Sequence, residues 1–140
     1  MPAKPETKLY QRLKENLPNC LITRIESRVG LGIPDCLIAL RRSGTYAPVE
    51  LKVVTHGRRV RLSPHQIAFH ARHAEIGCAT FVLVLFVPFK KVASKEGVLK
   101  LYRGDQVLEL AKSGVDTTPI EEWHYGTMPW GMLEIELMKS

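Results

Sequence analysis

Apolar residues recur near the start of the chain at Leu9, Leu13 and Leu17, the i, i+4, i+8 spacing of one helix face, with Tyr10 beside them. Pro5 suits the first turn of such a helix, and Glu6 suits the positive end of its dipole. The pattern predicts an amphipathic helix over 6–17, stopped by Pro18-Asn19. The period then changes to two. Leu21, Thr23 and Ile25 alternate with Ile22, Arg24 and Glu26, which predicts a strand. Gly30 and Gly32 interrupt the chain before Pro34. Residues 36–40 are a short apolar run bounded by Pro34-Asp35 and by Arg41-Arg42-Ser43-Gly44, as expected of a buried strand. Ser43-Gly44 begins a turn, and 49–54 is the next strand, the expected hairpin partner.

Residues 55–62 (THGRRVRL) form a basic loop. Ser63-Pro64 then has the form of an N-cap followed by proline at the first helical position. Ile67, Ala68, Ala71, Ala74 and Ile76 carry a helix on to Gly77, which ends it. The most apolar stretch, 79–87 (ATFVLVLFV), predicts a central strand that stops at Pro88. A further strand is expected over 98–102, a turn at Arg103-Gly104, and a short helix over 105–113 ending at Gly114. Residues 119–123 read as a helical turn, and 132–137 fit either a helix or a strand. The order α-β-β-β-α-β with a small C-terminal β-α addition predicts an α/β fold, a mixed β-sheet flanked by helices. The 140 residues suit a single domain, with its core about 6–87 and the addition about 97–140.

Composition changes this picture little. Apolar residues make up 45% and charged residues 24%, an ordinary globular balance that argues against disorder and coiled coil. The longest apolar run, 81–87, is too short to span a bilayer, and the N-terminus lacks the apolar core of a signal peptide. Cys20, Cys36 and Cys78 cannot all pair within one chain and have no zinc-knuckle spacing. Buried thiols in a reducing cytoplasm are the expectation. Charge is more informative. Residues 1–73 hold 13 Lys and Arg against 5 Asp and Glu, a net of +8, whereas 74–140 hold 7 against 9, a net of −2. A basic first half attracts polyanions, nucleic acid first among them. A soluble basic protein with no such partner fits the charge alone equally well.

The strand Val49-Glu50-Leu51-Lys52-Val53-Val54 is the anomaly. Alternation puts Glu50 and Lys52 on one face, about 7 Å apart from the rise per residue. By itself this fits a solvated face of an antiparallel sheet. Asp35 changes the balance, because pairing of the two strands brings it towards Glu50. Two carboxylates at one point repel unless a cation lies between them. Mg²⁺ favours hard oxygen ligands and keeps several waters, and Lys52 would stabilise charge on phosphoryl oxygens. Such a set suits hydrolysis of a phosphodiester.

Pro34-Asp35 followed fifteen residues later by Glu50-Leu51-Lys52 resembles the PD-(D/E)XK nuclease superfamily. Further residues narrow the resemblance. Glu6, Arg24-Ile25-Glu26, Gly32-Ile33-Pro34-Asp35, Glu50-Leu51-Lys52 and Leu62-Ser63-Pro64-His65-Gln66 are similar to the stand-alone virus-type replication-repair nuclease (VRR-NUC) domains found in phages and prophages. The resemblance runs from about Glu6 to Val87 and more loosely through 101–114. It implies a restriction-endonuclease-like core. It also implies metal ligation by Asp35, Glu50 and the backbone carbonyl of Leu51, with Lys52 as the catalytic lysine. Gln66 would support the site by contacting a metal-bound water or the phosphate. Glu6 would be an accessory acid reaching the metal directly or through water. Glu26 ranks below it, an ion pair with an arginine such as Arg28 being an equal reading. The implied activity is Mg²⁺- or Mn²⁺-dependent cleavage of branched or double-stranded DNA, leaving 5′-phosphate and 3′-hydroxyl ends, with a Holliday junction as the leading substrate. A two-fold homodimer would match a junction's symmetry. Nicking, flap or sequence-specific cleavage on the same fold is the alternative, and a non-catalytic DNA-binding module the third.

Arg58, Arg59 and Arg61 in the basic loop are the expected contacts to flanking phosphates, against the alternative of a solvated, mobile loop. Arg41-Arg42 and Lys90-Lys91 are read as ordinary surface charge. His65, His70 and His73 lack the partners of a histidine metal site and are read as surface or half-buried, with His70 placed to face the cleft near Gln66. Met128, Trp130 and Met132 are read as packing residues or a subunit contact.

Overall fold

The computed structural model describes residues 4–25, 32–87 and 97–139. Helix α1 (Pro5–Asn16) starts with proline in its first turn and buries Leu9 and Leu13. Strand β1 (Cys20–Arg24) pairs antiparallel with β2 (Cys36–Leu40), and β2 pairs antiparallel with β3 (Thr45–Val54). Helix α2 (Pro64–Glu75) carries the chain over to β4 (Phe81–Phe86), which lies parallel to β3. Strands β5 (Val98–Arg103) and β6 (Glu121–His124) then add antiparallel beyond β4, with helix α3 (Val107–Ser113) between them and helix α4 (Trp130–Met138) last. The result is one six-stranded mixed sheet, ordered β1-β2-β3-β4-β5-β6, with helices against it. This is the α/β arrangement, a mixed sheet flanked by helices, that the order of elements in the sequence predicts.

The parallel β3–β4 pair sits at the centre, and β4 is buried on both faces along its whole length. Alternate residues of β4 divide between two apolar layers: Phe81, Leu83 and Leu85 join α1, α4 and β2, while Val82, Val84 and Phe86 join Tyr102, Leu110 and Val115. A strand covered on both sides needs a continuous apolar run, and ATFVLVLFV supplies it. The hairpin β2–β3 is as expected, but β3 begins at Thr45, directly after the turn at Ser43-Gly44.

Near the C-terminus one expectation changes and one open choice is settled. Residues 119–123 do not form a helical turn: 121–124 are β6, which pairs with the edge of β5 and sets Trp123 opposite Leu99. An unpaired row of backbone donors and acceptors on β5 outweighs the weak helical signal of this segment. The open choice for 132–137 resolves as helix α4, because Leu133 and Leu137 at i, i+4 are both buried in the core. Met128 is buried and Trp130 packs against the same layer, whereas Met132 is exposed. Cys20 and Cys36 are buried thiols as expected, but Cys78 is exposed in the turn after α2.

His70 departs from its reading as well. It is fully buried under α2, with Nδ1 2.7 Å from Thr80 Oγ1 and Nε2 without a partner among the described residues. It faces the start of β4 and Gly104 rather than the cleft. Burial, then the charges of His73 and Lys52, hold its pKa down at about 4. An unfolded histidine titrates near 6.5. The folded protein therefore keeps this contribution in full above pH 6.5 and loses it as pH falls towards 4, by up to about 3 kcal/mol. Urea midpoints measured from pH 7 to pH 4 are expected to fall less steeply for His70→Gln than for the wild type. Parallel curves would refute the assignment.

Candidate active site

The register of β2 and β3 builds the centre of the site. Cys36 stands opposite Val49, so the residue before Cys36 falls beside the residue after Val49. Asp35 and Glu50 are thereby brought together, as their spacing in the sequence predicts. The backbone N–H of Leu51 donates to Asp35 Oδ2 at 2.8 Å, which fixes the carboxylate. Glu50 is 1% exposed, and its Oε1 has no hydrogen-bond partner among the described residues. Burial, followed by the hydrogen bond and negative charge of Asp35, pushes the Glu50 carboxyl up to about 9; Lys52 opposes this and Glu6 adds to it. A solvated sheet face, the plain reading of Glu50 and Lys52, does not describe this strand.

Lys52 lies two residues further along the same face, and its Nζ donates to Gln66 Oε1 at 3.1 Å. That oxygen also accepts the Ser63 backbone N–H at 2.9 Å, while Ser63 Oγ accepts the Gln66 N–H at 3.1 Å. Ser63 and Gln66 therefore form a reciprocal capping box at the start of α2. Gln66 thus has a partner that sequence reasoning missed: it ties the ammonium of Lys52 to the end of a helix. Gly32, in the loop leading to Asp35, has φ +75°, and a Cβ there would lie 2.2 Å from the carbonyl carbon of His65. The loop packs its backbone directly onto the first turn of α2, so glycine is needed both for the angle and for the approach.

These groups line a cleft of about 580 Å³. Glu6, Asp35, Glu50, Lys52 and Gln66 all border it, as do Arg59 and Arg61 of the basic loop. Arg58 does not; its Nε donates to Asp116 Oδ1 at 2.6 Å, and its guanidinium lies over the Phe86 ring. The loop is anchored, since Val60 is 1% exposed within the second apolar layer. Lys4, Thr7 and His56 also border the cleft without having been named as site residues, and so does Arg24, which the sequence marked only as part of the resemblance at Arg24-Ile25-Glu26. Arg24 is held by donation from Nη2 to Thr7 Oγ1 at 3.1 Å and by the Tyr10 ring, 5.5 Å from its guanidinium carbon. Alternation puts Arg24 on the same face of β1 as Cys20 and Ile22, the face that α1 covers. His73 stacks on Phe69 and takes no part in the cleft. Glu26 and Lys90-Lys91 lie outside the described residues.

Among the described residues no group of three His, Cys, Asp and Glu side chains gathers to hold a metal. The Asp35–Glu50 pair offers two carboxylates and one buried oxygen with no partner, which fits a hard cation that takes its remaining ligands from backbone and water.

Replacing Gly57, also at φ +67° but with open space around it, is expected to cost about 1–2 kcal/mol as Gly57→Ala. Gly32→Ala adds a backbone collision and is expected to cost clearly more. Equal losses in urea denaturation would mean that the contact between the Gly32 loop and α2 is not maintained in solution.

No family model and no curated protein sequence matches the chain. Solved structures are similar to it, two of them as follows. One, described as a VRR_NUC domain, is 24% identical and covers 79% of this chain and 97% of its own, with a TM-score of 0.47. The other is Hjc of Archaeoglobus fulgidus, a Holliday junction resolvase from an archaeal hyperthermophile, 15% identical over 71% of this chain and 78% of its own, also with a TM-score of 0.47.

Proposed function

We propose that the protein is a divalent-metal-dependent endonuclease that hydrolyses phosphodiester bonds in branched DNA, with a four-way junction as its substrate. The observation that carries the chemistry is the pairing of the buried Glu50 with Asp35, beside Lys52, in a cleft that Arg24, Arg59 and Arg61 also border. Asp35, Glu50 and the carbonyl of Leu51 would hold Mg²⁺ or Mn²⁺, with Glu6 at the margin. A cation held there supplies charge neutralisation and Lewis-acid polarisation of the phosphodiester.

The chain's own groups do the rest. Lys52 Nζ, fixed by Gln66, donates hydrogen bonds to a phosphoryl oxygen as its negative charge grows. Arg59, Arg61, Arg24 and Lys4, all bordering the cleft, hold the flanking phosphates without reading the bases. Water adds to phosphorus and the P–O3′ bond breaks, leaving a 5′-phosphate and a 3′-hydroxyl. The choice of branched DNA comes from the motif resemblance, and the two-fold symmetry of a junction calls for a homodimer with two such sites.

With Mg²⁺, a labelled four-way junction is expected to give paired, symmetric nicks. Glu50→Gln and Lys52→Ala are each expected to lower cleavage at least about 100-fold while junction binding persists. Fixed-sequence cuts in plain duplex would move the assignment to a sequence-specific enzyme. Binding without cleavage under Mg²⁺ and Mn²⁺ would refute the nuclease. Separately, saturating Mn²⁺ is expected to raise Tm by several degrees in the wild type and not in Glu50→Gln. An equal shift in both would remove Glu50 from the metal site.

A further inference from the structure

The loop between β3 and α2 alternates in its environment. Arg58 and Val60 turn towards the body of the protein, one onto Phe86 and the other into the apolar layer, while Arg59 and Arg61 border the cleft. What Arg58 meets is the turn after α3. Its Nε donates to Asp116 Oδ1 at 2.6 Å, and its carbonyl accepts the Val115 N–H at 2.9 Å. Gly114, at φ +59°, lets the two backbones touch; a Cβ there would lie 2.0 Å from the Arg58 carbonyl oxygen.

That turn is itself fixed from within. The buried Tyr102 hydroxyl donates to the Thr117 carbonyl at 3.0 Å, and Thr117 Oγ1 donates to the Glu109 carbonyl at 3.2 Å. Gln106 Nε2 donates to the Thr118 carbonyl at 2.7 Å. A continuous line of contacts therefore runs from the core of β5 through 115–118 to Arg58, and from there to the two arginines in the cleft. A solvated loop would leave Arg59 and Arg61 free to sample many positions, and ordering them on DNA would cost conformational entropy.

We infer that Arg58 and Asp116, closed over Gly114, form a brace outside the cleft that pre-positions Arg59 and Arg61 for phosphate binding. Arg58 is then a positioning residue and not a phosphate ligand. The inference rests on the DNA-binding reading above for its consequence, but the brace itself can be measured without DNA.

Three variants separate the cases: Asp116→Ala, Arg58→Ala, and the charge swap Arg58→Asp with Asp116→Arg. Dissociation constants are measured on a fluorescent four-way junction, without divalent cation, across a range of NaCl concentrations. Removing an acid from a basic protein should by charge alone tighten DNA binding. The brace predicts the opposite: Asp116→Ala weakens binding about two- to fivefold, the range open to an exposed ion pair. The salt slope stays that of the wild type, and the charge swap restores most of the affinity. Binding as tight as the wild type or tighter in Asp116→Ala would overturn the inference. So would an Arg58→Ala slope shallower by about 0.9, the signature of one lost phosphate contact. Amide hydrogen exchange gives the independent readout. Residues 57–62 should exchange faster in Asp116→Ala, and unchanged exchange overturns the brace. Should the wild type not bind DNA at all, the DNA reading fails and exchange alone decides the brace.

Discussion

The site depends on one electrostatic constraint: two carboxylates, Asp35 and Glu50, meet where one of them is almost wholly out of water. Burying a carboxylate costs several kcal/mol unless a partner compensates, and a second carboxylate makes matters worse. The surroundings supply only part of that compensation. The Leu51 N–H serves Asp35 and Lys52 opposes the negative charge, but Glu50 Oε1 is left without a partner among the described residues. A cation brought in from outside would offset both negative charges, and Arg24, Arg59 and Arg61 border the same cleft as the pair.

The rest of the architecture serves that pair. The antiparallel β2–β3 register sets the two acids side by side, and the parallel β3–β4 pair buries the strand that carries Glu50. The capping box of α2 has two uses at once: Gln66 completes the helix start and holds Lys52. The close packing of Gly32 on the same helix turn ties the loop before Asp35 to that point. Helix start, lysine and carboxylate loop are therefore mechanically linked, which keeps the site in one geometry at small entropic cost.

The sequence by itself determined the order of elements through the central strand, because a change of period from 3.6 to 2 and an unbroken apolar run are local signals that tertiary packing had no reason to override. Strand alternation put Glu50 and Lys52 on one face, the expected pairing of two strands brought Asp35 to them, and the motif resemblance alone added Gln66. Tertiary structure decided what depended on distant neighbours. Residues 121–124 became a strand only because β5 offered a free edge, and 130–138 became a helix because Leu133 and Leu137 found the core. Arg58 left the cleft because Asp116, far away in sequence, lay within reach. Arg24 entered it because α1 provides Thr7 and Tyr10 as supports. A charged side chain's partner is set by distances across the fold, and those distances are not written in its neighbours along the chain.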